Sequence, residues 1–239
     1  MPNEIGIVLT ATIIPNAIYT VYGDAQRRKA EYLRAISFYK HFAPVYFLEN
    51  SSYPLLSDPD FAEIENVNLI KFPLSAHFRK GKGYQEFQMI DEWIRTDENL
   101  PKRFIKITGR YIIKNFKKIF MEYITEKSNC ILIDQNSKNK VALTQLFCSD
   151  SYCYKEKLSG FYLDCDDEKG EFAEKVLYRK LIDSNLDFKI FRSKPNYEYI
   201  SGSTGSYVKE NVVKFAIKNM IRKIMYNIYQ NKYITLKNT

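Results

Sequence analysis

The chain has 239 residues, 45% of them hydrophobic and 27% charged, and carries a formal net charge of +8 at pH 7. This composition excludes an intrinsically disordered chain, and the length is sufficient for one large domain with a buried core. The positive charge favours an anionic partner, such as a nucleic acid, an acidic membrane surface or a phosphorylated ligand. The 4 cysteines form no CxxC pair and only 2 histidines are present, which argues against a zinc site.

The sequence also predicts an intracellular protein. Residues 1–13 have no basic stretch ahead of the apolar run and carry an acid at Glu4, so they do not resemble a signal peptide. No run approaches the roughly 20 apolar residues that a membrane-spanning helix needs. We therefore expect a cytoplasmic location, with reduced and mostly buried thiols.

Predicted strands and helices alternate along the first half of the chain. Short runs rich in β-branched and aromatic residues predict strands at 5–13, 45–50, 67–74 and 103–109. Apolar residues at helical spacing predict helices at 30–42 and 84–94, each with a proline downstream. Alternation of this kind is typical of an α/β domain in which helices flank a mainly parallel sheet.

The pattern is less regular after residue 110. It predicts helices at 116–124 and 170–185, strands at 129–135 and 160–167, a turn-rich stretch at 201–207, and a long basic helix at about 208–230. We expect residues 1–207 to form the main domain. Residues 208–239 would then be a basic amphipathic helix and tail within the same structural unit.

Ligands of open α/β sheets bind beyond the carboxyl ends of the strands, so the residues at those places are candidates for a site. In chain order they are Thr10, Thr12, Glu49, Asn50, Lys80, Lys82, Gly83, Lys106, Thr108, Gly109, Arg110 and Tyr111. Taken singly, the segment "ENSS" is typical of a turn, and "RKGKG" is typical of a solvated basic loop. Taken together, these segments predict one cleft lined by cations and backbone donors.

The expected ligand of this cleft is an anion. The Arg110 guanidinium presents a fork of donors that suits a phosphate or a carboxylate. The glycines of "RKGKG" would let the backbone approach the anion, and the helix expected near Tyr84 would add the positive end of its dipole. A basic surface turn without a ligand remains the alternative for "RKGKG".

Five stretches resemble the GT-A glycosyltransferases that build bacterial surface polysaccharides such as capsule, O-antigen and lipooligosaccharide. They are "IVLTATIIP", "VYFLENSS", "KGKGYQEFQMIDEWI", "FIKITGRY" and "ISGSTGSY", and "KITGRY" and "SGSTG" are the most specific. The resemblance covers residues 5–207 and implies a Rossmann-like GT-A fold with an irregular acceptor-side second half. It implies a nucleotide-sugar site whose base and ribose contacts fall on Thr10, Thr12, Glu49 and Asn50, with further donor contacts at Ser201, Gly202 and Ser203.

The sequence departs from the common GT-A pattern at the fourth strand. The Asp-x-Asp motif that holds a divalent metal in that family is replaced here by "ITGRY". A fixed cation stabilises the charge of a leaving diphosphate as a metal does. We therefore expect metal-independent catalysis with Arg110 and Lys82 in that role and no required cofactor. The alternative is a Mn²⁺ or Mg²⁺ ion held by Asp164 and Asp166, although acids before helices are often caps.

Sugar transfer with inversion of configuration needs a carboxylate base. The resemblance places this base at the start of a late helix, which matches "GEFAEKVLYRKL". Glu174 is the first candidate, and Glu171 and Asp134 are the next. A solvated acidic face is the alternative for this stretch, and a retaining enzyme would need no such base.

The C-terminal helix carries its own pattern. Apolar residues share one face, namely Val213, Ile217, Met220, Ile221, Ile224 and Ile228. Lys214, Lys218 and Arg222 follow at steps of four along another face. This pattern fits a helix that packs on the core and has a solvent-exposed basic face. It also fits attachment to the anionic cytoplasmic face of the inner membrane.

The resemblance therefore implies a glycosyltransferase that moves a sugar from a UDP-sugar to a glycan or lipid-linked glycan in surface polysaccharide synthesis. The alternative is a basic α/β protein that binds or modifies nucleic acid, since many tyrosines would suit stacking on bases. The cations are spread among acids and no recognition-helix or RNP-like motif occurs, so nucleic acid is not the expected partner. A non-catalytic scaffold with a nucleotide fold is a third possibility.

Overall fold

The structure is a computed structural model that describes residues 4–126, 131–136, 138–184, 186 and 188–228. Its strands are β1 (Ile5–Ala11), β2 (Val45–Glu49), β3 (Val67–Lys71), β4 (Arg103–Thr108), β5 (Ile112–Ile113), β6 (Ile131–Asn136), β7 (Val141–Asp150), β8 (Phe188–Lys189), β9 (Tyr197–Ile200) and β10 (Tyr207–Lys209). Its α-helices are α1 (Ala25–Tyr39), α2 (Pro59–Ala62), α3 (Lys82–Thr96), α4 (Phe116–Thr125), α5 (Ser151–Cys153), α6 (Ala173–Asp183) and α7 (Val212–Ile224). In the part of the chain so described, no helix is long and apolar enough to cross a membrane.

Seven strands form one mixed sheet in the order β3-β2-β1-β4-β7-β6-β8. The first four of these strands are mutually parallel, whereas β7 runs antiparallel to both β4 and β6. The strand order reverses beside β1, because β2 and β3 lie on one side of it and β4 on the other. The carboxyl ends of β1 and β4 meet there, with Thr10 opposite Thr108. Such a switch point is where open α/β sheets form ligand clefts.

Hydrophobic cores cover both faces of this sheet. Successive side chains of a strand point to opposite faces, so Val8 of β1 packs in one core while Ile7 and Leu9 pack in the other. Helices α3 and α6 supply the first core, and α1 and α4 supply the second. The predicted α/β class, with a mostly parallel sheet flanked by helices, is confirmed.

Two predicted elements of the second half differ from the structure. Residues 160–167 do not form a strand: they form 3-10 turns at Phe161–Asp164 and Asp167–Lys169. The predicted helix at 208–230 begins only at Val212, because Tyr207–Lys209 pairs with β9 in a small antiparallel sheet with β5. Residues 129–130 of the predicted strand, residue 185 of the predicted helix at 170–185, and residues 229–239 of the predicted C-terminal helix and tail lie outside the described residues. The long strand β7 was not anticipated.

Gly83 allows α3 and α6 to approach closely at the edge of the sheet. A Cβ atom built on Gly83 would lie 2.4 Å from the Cβ of Ala173, the first residue of α6. The conformational freedom of glycine is used at the neighbouring Gly81 instead, whose φ is +95°. Gly83 is therefore a packing residue as well as part of the predicted basic loop.

We expect Gly83→Ala to lower the melting temperature of the protein. The added methyl group must separate two helices, and overpacking of this kind costs about 1–3 kcal/mol of stability. The gain in helix propensity, about 1 kcal/mol at most, does not offset this at the first turn. Gly23→Ala is the matched control, because a Cβ atom there meets nothing within 4 Å. Equal melting temperatures for the two variants would contradict the packing role of Gly83.

Candidate functional site

A cavity of about 640 Å³ opens at the switch point, above the carboxyl ends of β1 and β4. It brings together predicted residues from segments far apart in the chain. Those that line it are Thr10, Thr12, Lys82, Gly83, Thr108, Arg110, Tyr111, Glu174, Ser201, Gly202 and Ser203. The volume lies within the range of small-molecule and cofactor sites in proteins.

Lys82 and Arg110 converge on the loop that holds Ser201, Gly202 and Ser203. The Nζ atom of Lys82 donates to Ser203 Oγ at 2.7 Å and to the carbonyl oxygen of Tyr19 at 2.8 Å. Nη1 of Arg110 donates to the carbonyl oxygen of Ile200 at 3.1 Å. A Cβ atom on Gly202 would lie 3.2 Å from Nη2 of Arg110, so glycine leaves room for this guanidinium.

Arg110 is buried and Lys82 is half-buried, and carboxylates lie near both cations. Burial lowers the pKa of Lys82, and the neighbouring Arg28 and Arg110 lower it further, while Asp167 acts in the opposite direction. Burial alone would lower the pKa of Arg110, but Tyr32 and the ion pair with Glu31 at 2.7 Å raise it. The surroundings therefore act in opposite directions, since they raise the pKa of Arg110 and lower the pKa of Lys82.

The carboxylate of Asp167 lies at the first turn of α3. The backbone N–H of Lys82 donates to it, and a Cβ atom on Gly81 would lie 1.9 Å from its Oδ2. An acidic group at a helix N-terminus is favourable, since it satisfies free N–H groups and the helix dipole. The place predicted for a phosphate is thus taken by a carboxylate from the chain itself. Burial and then the nearby Glu174 raise the pKa of Asp167.

Glu174 lies in the first turn of α6 and lines the cavity. Its Oε1 accepts a hydrogen bond from Thr144 Oγ1 at 3.3 Å. The charge of Glu174 acts on both Lys82 and Asp167, so it belongs to the same cluster of charges. A partly exposed carboxylate in this position can accept a proton from a bound hydroxyl group.

An ion pair between Lys106 and Glu86 lies at the bottom of the cavity, and the sequence analysis did not identify it. Lys106 is fully buried, and its Nζ lies 2.7 Å from Glu86 Oε1 and 2.6 Å from the carbonyl oxygen of Thr144. The same Glu86 oxygen accepts from Thr10 Oγ1 at 2.5 Å and from Thr108 Oγ1 at 3.4 Å. Lys106 therefore acts beneath the cavity, through Glu86, and does not itself line it.

Glu49 and Asn50 lie behind the cavity wall. Glu49 is fully buried, accepts from the backbone N–H groups of Ile13 and Ser51, and pairs with Lys71. Asn50 accepts from Thr12 Oγ1 at 2.7 Å. Their hydrogen bonds hold the segment after β1 in place, so they support the cavity without lining it.

Several other predicted residues lie outside the cavity lining. Lys80 packs its ammonium group 4.7 Å from the ring centre of Tyr84. Gly109 allows close packing of backbones, because a Cβ atom there would lie 2.6 Å from the carbonyl oxygen of Thr10. Glu171 pairs with Arg179 at 2.5 Å.

Asp134 pairs with Arg222 of α7 and likewise does not line the cavity. The proposed metal ligands are also elsewhere. Asp164 is exposed, and Asp166 caps the turn Asp167–Lys169 and pairs with Lys169 at 3.0 Å. Neither residue lines the cavity. Within the described ranges, no group of three or more His, Cys, Asp or Glu side chains is arranged to hold a metal ion.

Sequence reasoning missed further residues of the cavity. Arg28 is buried, and its guanidinium donates to the carbonyl oxygens of Thr12 and Tyr22 at 3.0 Å each. Gln85 and Thr20 line the cavity and place Nε2 and Oγ1, respectively, in buried positions without a hydrogen-bond partner among the described residues. A bound ligand would satisfy such groups. Gln85 could have been suspected, since it lies two residues after "RKGKG".

Two tyrosines form an aromatic wall of the cavity. The rings of Tyr111 and Tyr199 stack with centroids 3.8 Å apart and planes inclined by 13°. Tyr199 comes from β9, so this wall belongs to the small sheet that the sequence pattern did not predict.

A scan against models of known protein families and a search of curated proteins each find no match to the chain. The resemblance to GT-A glycosyltransferases therefore remains an interpretation of the sequence.

We expect Glu86→Gln to reduce the free energy of unfolding by about 3 kcal/mol, because it leaves the Lys106 charge buried and unpaired. This is the lower end of the range for a broken buried ion pair, since Glu86 keeps some exposure. The double variant Glu86→Gln/Lys106→Met should recover most of the loss, because it removes the unpaired charge. Urea unfolding of the two variants is the measurement. A double variant no more stable than Glu86→Gln would contradict this account.

Proposed function

We propose that this protein is a glycosyltransferase that uses a nucleotide diphosphate sugar, UDP-linked, and transfers the sugar to a saccharide acceptor. The donor would occupy the cavity above β1 and β4. The observation that carries the proposal is the convergence of Lys82, Arg110 and the Ser201–Gly202–Ser203 loop. These segments come from distant parts of the chain. The charge of the two cations suits a diphosphate, and the resemblance places the Ser201–Gly202–Ser203 loop in donor binding.

Two cations in a partly buried cavity suit a diphosphate. Lys82 supplies a point charge, and Arg110 supplies a planar fork of donors for phosphate oxygens. Water is partly excluded, so each charge acts more strongly than it would in solution. When the bond between the sugar and the diphosphate breaks, negative charge builds on the leaving oxygen, and fixed cations stabilise it.

Glu174 is the proposed base. It would accept the proton of the acceptor hydroxyl while the acceptor oxygen attacks the anomeric carbon and the diphosphate leaves from the opposite side. Its place at the start of α6, facing a cavity that also holds Lys82, supports this role. Glu171 and Asp134 are less suited, because each pairs with an arginine outside the cavity lining.

The nucleoside would contact Thr10 and Thr12 and the side-chain amide of Gln85, whose Nε2 has no hydrogen-bond partner among the described residues. A primary amide presents a donor and an acceptor side by side, which matches the edge of a pyrimidine base. The buried Nε2 of Gln85 supports this assignment, since its desolvation is uncompensated within the described residues. Glu49 and Asn50 would not contact the nucleoside. They hold the segment that carries Thr12 in place through hydrogen bonds.

Replacing Lys82 tests the donor site most directly. Lys82→Ala should weaken UDP binding by about 1.5–3 kcal/mol, the usual contribution of a hydrogen bond to a charged group. Lys80→Ala is the matched control, because Lys80 has the same charge two residues away but lies on the Tyr84 ring outside the cavity. Calorimetric titration with UDP distinguishes the two. Equal affinity in both variants would remove the diphosphate from this cavity.

Replacing Glu174 tests the base. Glu174→Gln keeps the shape and the hydrogen bond with Thr144 but cannot take a proton, so kcat should fall roughly 10²-fold or more with donor affinity unchanged. Glu171→Gln makes the same chemical change on the neighbouring turn and should leave kcat near the wild-type value. Initial rates of sugar transfer and donor titrations provide both readouts. Near-normal turnover of Glu174→Gln would exclude it as the base and favour a retaining mechanism.

Metal dependence is tested by chelation. Because Lys82 and Arg110 are placed to neutralise the diphosphate, transfer should persist in EDTA at close to its initial rate. The measurement is the rate of UDP release from a UDP-sugar with EDTA and with added Mn²⁺. Complete loss of transfer in EDTA, restored by Mn²⁺, would overturn the metal-independent part of this proposal.

A further inference from the structure

Helix α7 presents Phe215 and polar side chains to the protein and most of its other apolar residues outwards. The half-buried positions are Phe215, Asn219 and Arg222, which recur every three or four residues and so share one side of the helix. No residue of α7 is buried. Most apolar residues of α7 therefore face away from the core, whereas the apolar stripe of a surface helix usually faces it.

Polar contacts hold the inner side in place. Arg222 forms a bidentate ion pair with Asp134 of β6 through its two Nη atoms. Its Nε donates to the carbonyl oxygen of Phe191 at 2.7 Å. The backbone N–H of Lys194 donates to Asn219 Oδ1 at 2.9 Å. Lys218 pairs with Glu210 at 2.6 Å. Two of the three cations that the sequence assigned to an external basic stripe therefore pair with acidic residues of the protein.

The outer side is a continuous apolar surface. It consists of Val213, Ile217, Met220, Ile221 and Ile224, which fall within an arc of about 100° on the helix. These side chains are between 42% and 75% exposed. Scattered exposed apolar residues are normal on proteins, but a contiguous strip on one helix marks a surface for interaction.

Lysines border this apolar arc on both sides. On the helical wheel Lys214 lies just beyond one edge and Lys223 beyond the other, and neither has an ion-pair partner in the part of the chain that is described. From residue 211 to residue 239 the sequence contains no Asp or Glu. The outer side is therefore apolar at its centre and cationic at its borders.

We propose that this outer side of α7 docks on the surface of an anionic lipid bilayer. The helix lies in the plane of the interface, with its apolar arc among the upper acyl chains. The flexible stems of Lys214 and Lys223 reach back to the anionic headgroups, as long basic side chains do at such surfaces. The inner contacts of Arg222 keep the globular part fixed to the membrane-bound helix.

A second copy of the chain fits this surface less well. Pairing two such helices through their apolar arcs brings Lys214 and Lys223 of both copies close together without acidic partners on the helix. Like charges in contact disfavour that arrangement. A nucleic acid would match the lysines but would leave the apolar arc without a partner.

Vesicle co-sedimentation of the full chain tests the proposal without reference to catalysis. The probes are vesicles of phosphatidylcholine mixed with phosphatidylglycerol, and vesicles of phosphatidylcholine alone. The wild type should sediment with the anionic vesicles, more weakly with the neutral ones, and less at high salt. Ile217→Ser/Ile221→Ser should lower the partition coefficient more than about tenfold. Lys214→Gln/Lys223→Gln should lower it roughly 25-fold, about fivefold for each basic residue lost near the surface.

The control is Lys155→Gln/Lys157→Gln, which removes the same charge from exposed positions on another helical turn. It should bind vesicles almost as well as the wild type. Because all of these positions are exposed, thermal melts should show each variant to be folded. Absence of wild-type binding, or equal loss in the control, would overturn the proposal. A dimer in analytical ultracentrifugation that Ile217→Ser/Ile221→Ser dissociates, without vesicle binding, would assign the surface to a second copy instead.

Discussion

The buried ammonium group of Lys106 is the constraint on which the cavity depends. A charge with no exposure to water is tolerated only when it is paired and hydrogen-bonded. Glu86 of α3 and the carbonyl oxygen of Thr144 in β7 satisfy it, and Thr10 of β1 joins through Glu86. Four elements must therefore meet at one point for the charge to be stable. Thr10, Lys82 and Thr108 of the cavity are carried by those same elements, so the position of this part of the lining follows from that pairing.

Above this ion pair, the charges of the cavity satisfy one another. Lys82 donates to the two loops that cover the cavity, Arg110 pairs with Glu31, and Asp167 takes the first turn of α3. Anion binding would therefore exchange existing contacts for new ones. Burial lowers the pKa of Lys82 and raises the pKa of Asp167, so both groups hold their charges less firmly than usual. An incoming diphosphate would favour the charged form of Lys82 and disfavour that of Asp167.

Basic residues have different surroundings in the cavity and on helix α7. In the cavity, basic side chains face inwards and a ligand would compete for them. On α7, Arg222 also faces inwards, but its pair with Asp134 is structural and leaves the apolar arc outside. A periodic pattern of apolar and basic residues therefore does not say which side of a helix faces the core. The side that faces the core depends on whether the surface beneath the helix carries acidic or hydrophobic side chains.

The sequence by itself determined the alternation of β1–β4 with α1 and α3, because helix and strand periodicity depend on near neighbours. It also indicated Lys82 and Arg110, since both follow predicted strands. The tertiary structure alone decided that β7 enters the sheet beside β4, that Glu49 faces away from the cavity, and that Glu86 lies beneath it. These outcomes depend on which side chains meet across long separations in the chain. Local patterns carry no information about such partners, because each pairing is set by the packing of the whole sheet.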